Sequence, residues 1–117
     1  MKEHLSSEDN ASIEKWHRLF VQRLKEQKFE LAEIAMRHWL DIPGQMAEAY
    51  YFTPAEFYEE WGDAETDSPA IAAVCYEQAI HYRYRTAALA TGSGDGAVIM
   101  YHVKNIQRKL KQLPAVQ

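Results

Sequence analysis

The residues able to do chemistry are five histidines, one cysteine and a large set of charged side chains. Glu14-x-x-His17 has the spacing of one helix arm of a di-iron site, where both side chains project from one face. Such a site needs a second copy and further carboxylates, and the chain offers the motif once. Glu77 and His81 stand one turn apart without a second histidine, so packing or surface roles are expected for His4, His17, His38, His81 and His102. Cys75 falls on an apolar helix face with no activating partner beside it, which reads as an inert thiol. No Ser-His-Asp or Cys-His arrangement is specified locally. Thr91-Gly92-Ser93-Gly94-Asp95-Gly96 follows no strand and precedes no Lys-Ser or Lys-Thr, so it is neither a dinucleotide fingerprint nor a phosphate loop. No catalytic residue, metal or cofactor is expected.

Charge carries more information. Residues 41–80 contain no Lys or Arg but nine acids: Asp41, Glu48, Glu56, Glu59, Glu60, Asp63, Glu65, Asp67 and Glu77. Residues 81–117 reverse this, with Arg83, Arg85, Lys104, Arg108, Lys109 and Lys111 against Asp95 alone. The net charge of -4 conceals the partition. Opposite signs on separate segments point to contact with another copy of the chain or with a polyanion. Lys104, Arg108 and Lys111 line one side of the last expected helix, and Arg18 and Lys25 form a smaller patch on the first. Either patch suits phosphate, which asks only for charge and reach. A solvated helix face, or one pairing with the acidic segment of a neighbour, is the alternative.

The elements that must position these groups read as all helix. The 117 residues suffice for one domain, or a small domain with a helical appendage, and for a modest core. The lone cysteine forbids an intrachain disulfide and fits a reducing compartment. Residues 1–10 are polar and acidic, unlike a signal peptide, and no apolar run approaches the roughly 20 residues that span a bilayer. After a flexible start over 1–11, Ser12 caps a helix to about residue 28, with Ile13, Trp16, Phe20 and Leu24 as its buried stripe. A second helix carries Leu31, Ile34, Ala35, His38 and Trp39, and Asp41-Ile42-Pro43-Gly44 breaks it.

Residues 46–58 then read as a helix-turn-helix. Ala47 is the small residue at the crossing, Tyr50, Phe52 and Phe57 lock the helices, and Thr53 with Glu56 and Pro54 starts the second helix. Glu56, Glu59 and Glu60 on that second helix repel phosphate, and a packing corner is the alternative. The helical region spans 12–62, and an acidic linker over 62–67 marks an internal boundary. Residues 68–113 form a helical hairpin, followed by a tail over 114–117. Ser68-Pro69 opens its long arm, Gly92 ends that arm, Asp95 caps the next and Pro114 stops it. The last helix has its seam at Ile99, Val103, Ile106, Leu110 and Leu113. The long arm shows apolar residues on two faces, Ile71, Val74, Cys75, Tyr82 and Leu89 against Ala73, Tyr76, Ile80, Tyr84 and Ala87. Two such faces call for burial on both sides, by neighbouring subunits or by the first half of the chain. The oligomerisation surface is therefore expected to draw on Ile71, Val74, Tyr76, Ile80, Tyr84, Ile99, Val103, Ile106 and Leu110.

Two stretches carry a family likeness. One is the helix-turn-helix-like segment 46–61. The other is Ala87-Ala88-Leu89-Ala90-Thr91-Gly92 followed by Gly96-Ala97-Val98-Ile99-Met100-Tyr101-His102-Val103-Lys104-Asn105. In these, over roughly residues 45–110, the chain resembles the small terminase subunits of tailed bacteriophages. The resemblance implies an all-α, non-enzymatic DNA-packaging protein in the cytoplasm of an infected or lysogenic bacterium. It would form a homo-oligomeric ring, bind double-stranded DNA and regulate the large terminase subunit, with no membrane role. A helical phage or mobile-element regulator, acting through protein contacts of its acidic region, is the alternative.

Overall fold

The computed structural model of the protein describes residues 7–45, 47–65, 67–89 and 95–114. These form five α-helices and no strand: α1 (Ser7–Lys25), α2 (Phe29–Leu40), α3 (Ala47–Ala64), α4 (Pro69–Leu89) and α5 (Asp95–Gln112). The class is all-α, as the sequence predicts. The helices belong to two compact units, Met1–Met46 and Ala47–Gln117.

In the first unit α1 begins at Ser7, so Ser12 lies inside the helix rather than capping it. Glu8 and Asp9 occupy the first turn and Arg23 and Lys25 the last, each sign suited to its end of the helix dipole. The helix stops because Gln27 adopts φ 58°. The Lys28 amide donates to the Arg23 carbonyl at 2.9 Å and the Gln27 amide to Leu24 at 3.0 Å, which is a Schellman closure. Phe20 of α1 and Phe29, Ala32, Ala35 and Met36 of α2 are buried. Trp16 stacks on His38 at 4.3 Å, and His17 meets Trp39 edge-on at 4.7 Å. After α2 the Gln45 side-chain amide donates to the Trp39 and Ile42 carbonyls at 2.8 Å, satisfying acceptors that the helix end leaves open.

The second unit corrects the helix-turn-helix expectation. One uninterrupted helix, α3, runs through Tyr51, Thr53 and Pro54. The capping signal at Thr53 is a local preference of about 1 kcal/mol. The buried side made by Pro54, Ala55, Phe57, Tyr58 and Gly62 belongs to the second helix of that expectation and keeps its place in the continuous one. Pro54 removes one amide donor from the interior of α3, and its ring is fully buried.

The second correction concerns the boundary. The segment 62–67 does not divide compact units: Gly62 is inside α3 and packs against Tyr76 of α4. The division between the compact units falls before α3. Helix α4 packs against both α3 and α5. Its buried stripe is Ala72, Cys75, Tyr76, Ala79, Arg83 and Thr86, with alanines where a neighbouring helix comes close. Helix α5 inserts Ile99, Val103 and Ile106, the expected seam, while Leu110 and Leu113 are half-buried. Helices α4 and α5 follow one another in the chain and pack together. The expected stop at Gly92 and most of the Gly-rich turn lie outside the described residues. Aromatic rings fill the α3–α4 contact, where Tyr58 stacks parallel to Tyr82 at 5.9 Å and Trp61 lies 5.7 Å from Phe57. Among the described residues, no helix is long and apolar enough to cross a membrane.

Candidate nucleic-acid interface

Charges in the second unit divide into an internal network and an external stripe. The network sits where α3, α4 and α5 meet. Lys109 of α5 donates to Glu59 at 2.8 Å and to both oxygens of Asp63 at 3.0 Å. Tyr76 of α4 donates its hydroxyl to Asp63 at 2.7 Å. Arg83, with a side chain only 5% exposed, lies 3.8 Å from the other Glu59 oxygen. Burial lowers the Lys109 pKa, but the bonds to Glu59 and Asp63 outweigh it and hold the ammonium above its ordinary value. Burial, then the bond to Asp63, pushes the Tyr76 phenol well above the ordinary tyrosine value. The opposite signs of the middle and end of the chain thus meet, in part, within a single molecule.

The external stripe belongs to α5 alone. The seam Ile99, Val103 and Ile106 fixes the rotation of the helix, and the opposite side then faces outward. Lys104, Arg108 and Lys111 are exposed there, at offsets of four and three residues that keep them on one face. Tyr101 precedes them on the same face and is 66% exposed. The Arg108 guanidinium donates to the Asn105 side chain at 3.2 Å, which holds it along the helix. Among the described residues, neither Lys104, Arg108 nor Lys111 has a carboxylate within ion-pair distance. The stripe has the chemistry of a phosphate-binding surface.

The remaining candidates are placed differently. Arg18 and Lys25 are exposed on α1 and line an open depression with Glu14, His17, Val21 and Gln22. A carboxylate among them makes that patch mixed in sign, so the α5 stripe is the better anion surface. Of the residues expected to bury themselves between subunits, Tyr76, Ile99, Val103 and Ile106 are packed inside this chain. That placement corrects the expectation, since the α3–α4–α5 core already covers the face they belong to. Ile80 and Leu110 are half-buried, while Ile71, Val74 and Tyr84 are exposed on α4. Among the described residues, no three His, Cys, Asp or Glu side chains are grouped to hold a metal ion. His4 lies outside the described residues.

Sequence reasoning missed Lys109, Glu59, Asp63 and Arg83 as a set. The available signal was register. Lys109 stands between Ile106 and Leu113, at the edge of the seam, whereas the stripe cations stand opposite it. Comparison of the chain with protein families, curated proteins and solved structures yields no match.

Proposed function

We propose that this chain is a non-catalytic, homo-oligomeric DNA-packaging protein of the small-terminase type. In this reading it works in the cytoplasm of an infected or lysogenic bacterium, holds double-stranded DNA and regulates a large terminase subunit. The observation that carries the reading is the division of cations in the second unit. Arg83 and Lys109 face acids of α3, while Lys104, Arg108 and Lys111 present an acid-free outer face on α5. DNA contact in this reading belongs to α5, and the continuous α3 takes no part as a recognition helix. The exposed Ile71, Val74 and Tyr84 on α4 supply apolar surface for self-association.

The test is duplex binding across a salt series. Three phosphate contacts give a slope of log affinity against log salt of about -2.7. The triple change Lys104→Glu, Arg108→Glu and Lys111→Glu should remove binding while the helical circular dichroism stays unchanged. Wild-type duplex affinity that is the same at every salt concentration would sink the proposal.

A second reading has its own observation. Glu56 and Glu60, one turn apart and both exposed on α3, offer an acidic surface to a basic protein partner. A regulator of that kind is a monomer or dimer and shows no salt-dependent DNA binding. Native mass and the salt series together separate the two.

A further inference from the structure

We infer that the outer face of α5, which holds duplex through its cations alone, also takes DNA with unpaired bases and binds it more tightly, with Tyr101 as the stacking platform. The inference rests on the reading of that face as the DNA surface and adds which form of DNA it takes. A phosphate-binding helix needs cations only, yet this face also presents an aromatic ring at 66% exposure. A tyrosine ring combines a flat apolar face with a polar hydroxyl, which suits it to stacking at a wet surface. His102 meets the ring edge-on, with centroids 5.9 Å apart and planes at 71°. Val98, one turn earlier, is also exposed, so the start of this face is apolar and its continuation cationic.

The spacing suits a single strand. At 1.5 Å per residue, Lys104, Arg108 and Lys111 follow Tyr101 along the axis by about 4.5, 10.5 and 15 Å. A strand laid along α5 would place one base on the Tyr101 ring and successive phosphates on the three cations. Stacking on an aromatic ring needs an accessible base face, which a closed duplex hides. Duplex DNA would meet only the cations. Base–aromatic stacking also tolerates any sequence, so this surface discriminates by strandedness rather than by base identity.

The test uses the full chain with two fluorescent probes, a 20-nucleotide oligothymidine and a 20-base-pair duplex, in anisotropy titrations at one salt concentration. The expected result for Tyr101→Ala is a loss of oligothymidine affinity of roughly five- to a hundredfold, with duplex affinity within about twofold of wild type. Tyr101→Phe, which keeps the ring, should restore the oligothymidine affinity. Because Tyr101 is exposed, neither change threatens the fold, and circular dichroism checks this. An unchanged oligothymidine affinity in Tyr101→Ala, or equal losses on both probes, overturns the inference. The triple glutamate variant isolates the underlying reading. If it binds both probes as wild type does, α5 is not the DNA surface at all; if it loses both while Tyr101→Ala changes neither, only the stacking role falls.

Discussion

The ring of Tyr76 occupies the space that a side chain at position 62 would need: a Cβ built on Gly62 would stand 2.7 Å from Tyr76 Cε1 and 2.8 Å from Cδ1. The ring cannot swing aside freely, because its hydroxyl is tied to Asp63 at 2.7 Å. Gly62 is therefore the contact that lets α3 and α4 close on one another. In an ordinary helix interior, replacing Gly with Ala gains about 1 kcal/mol. Here Gly62→Ala should lose about 1–3 kcal/mol through overpacking. Denaturant unfolding reads the sign, and a Tyr76→Ala background should turn the loss back into a gain.

The same tyrosine helps set the response of the fold to alkali. Tyr76 and Lys109 both have folded-state pKa values above their ordinary values of 10.0 and 10.5. A raised pKa means that the protonated form is favoured by folding, so both contributions are complete below those ordinary values. They are lost as pH rises through the folded values, when a phenolate would face Asp63 and a neutral amine would leave Glu59 and Asp63 unpaired. Thermal stability should thus fall above about pH 10, from these two groups. Lys109→Met keeps the stem against its neighbours but removes the three bonds, at a cost near neutral pH of about 1–2 kcal/mol. It should also flatten the alkaline decline. A decline as steep as wild type would locate the sensitivity elsewhere.

Gln27 is the only non-glycine residue with positive φ among the described residues, at 58°. For a residue with a Cβ that conformation costs about 1–2 kcal/mol. Glycine adopts it freely but brings more unfolded-state entropy, so Gln27→Gly should gain about 0.5–1 kcal/mol net. Native-state hydrogen exchange should show amides of α1 and α2 protected about two- to fivefold more strongly. No gain would mean that the Schellman closure is already relaxed.

Particular residues explain what was legible in the sequence and what was not. The start of α4 at Ser68-Pro69 and the seam of α5 were readable, because caps and apolar periodicity act locally. The turn after α1 was hidden, since Glu26-Gln27-Lys28 contains neither Gly nor Pro and closes through backbone bonds. The continuity of α3 was hidden for the opposite reason. Thr53-Pro54 is a strong local start signal, and α3 runs through it nonetheless. The candidate site was half visible. Lys104, Arg108 and Lys111 could be assigned to one face by counting, and the structure leaves them exposed. That Lys109 turns inward depends on Glu59 and Asp63, some 46–50 residues away in sequence, and no local pattern encodes such a pairing.

The two apolar faces of α4 lead to a last prediction. Each sends a residue into the core of this chain, Cys75 from one and Tyr76 from the other, 3% and 4% exposed. Val74, which points away from that buried stripe, is 59% exposed, and Ile71 and Tyr84 are exposed with it. A charge at position 74 should therefore cost the isolated fold no more than about 0.5 kcal/mol. At an interface between copies, the same charge would have to be buried unpaired, which costs several kcal/mol per contact. Val74→Asp should consequently lower the native mass to that of a single chain while leaving circular dichroism and unfolding midpoint unchanged. Val103→Ala serves as the opposite control: its side chain is fully buried within the chain, so it should lower the midpoint whatever the state of assembly. A native mass that Val74→Asp does not alter would remove the outer face of α4 from any assembly the protein makes. Self-association would then have to use surface other than the one that the two-faced pattern of α4 picks out.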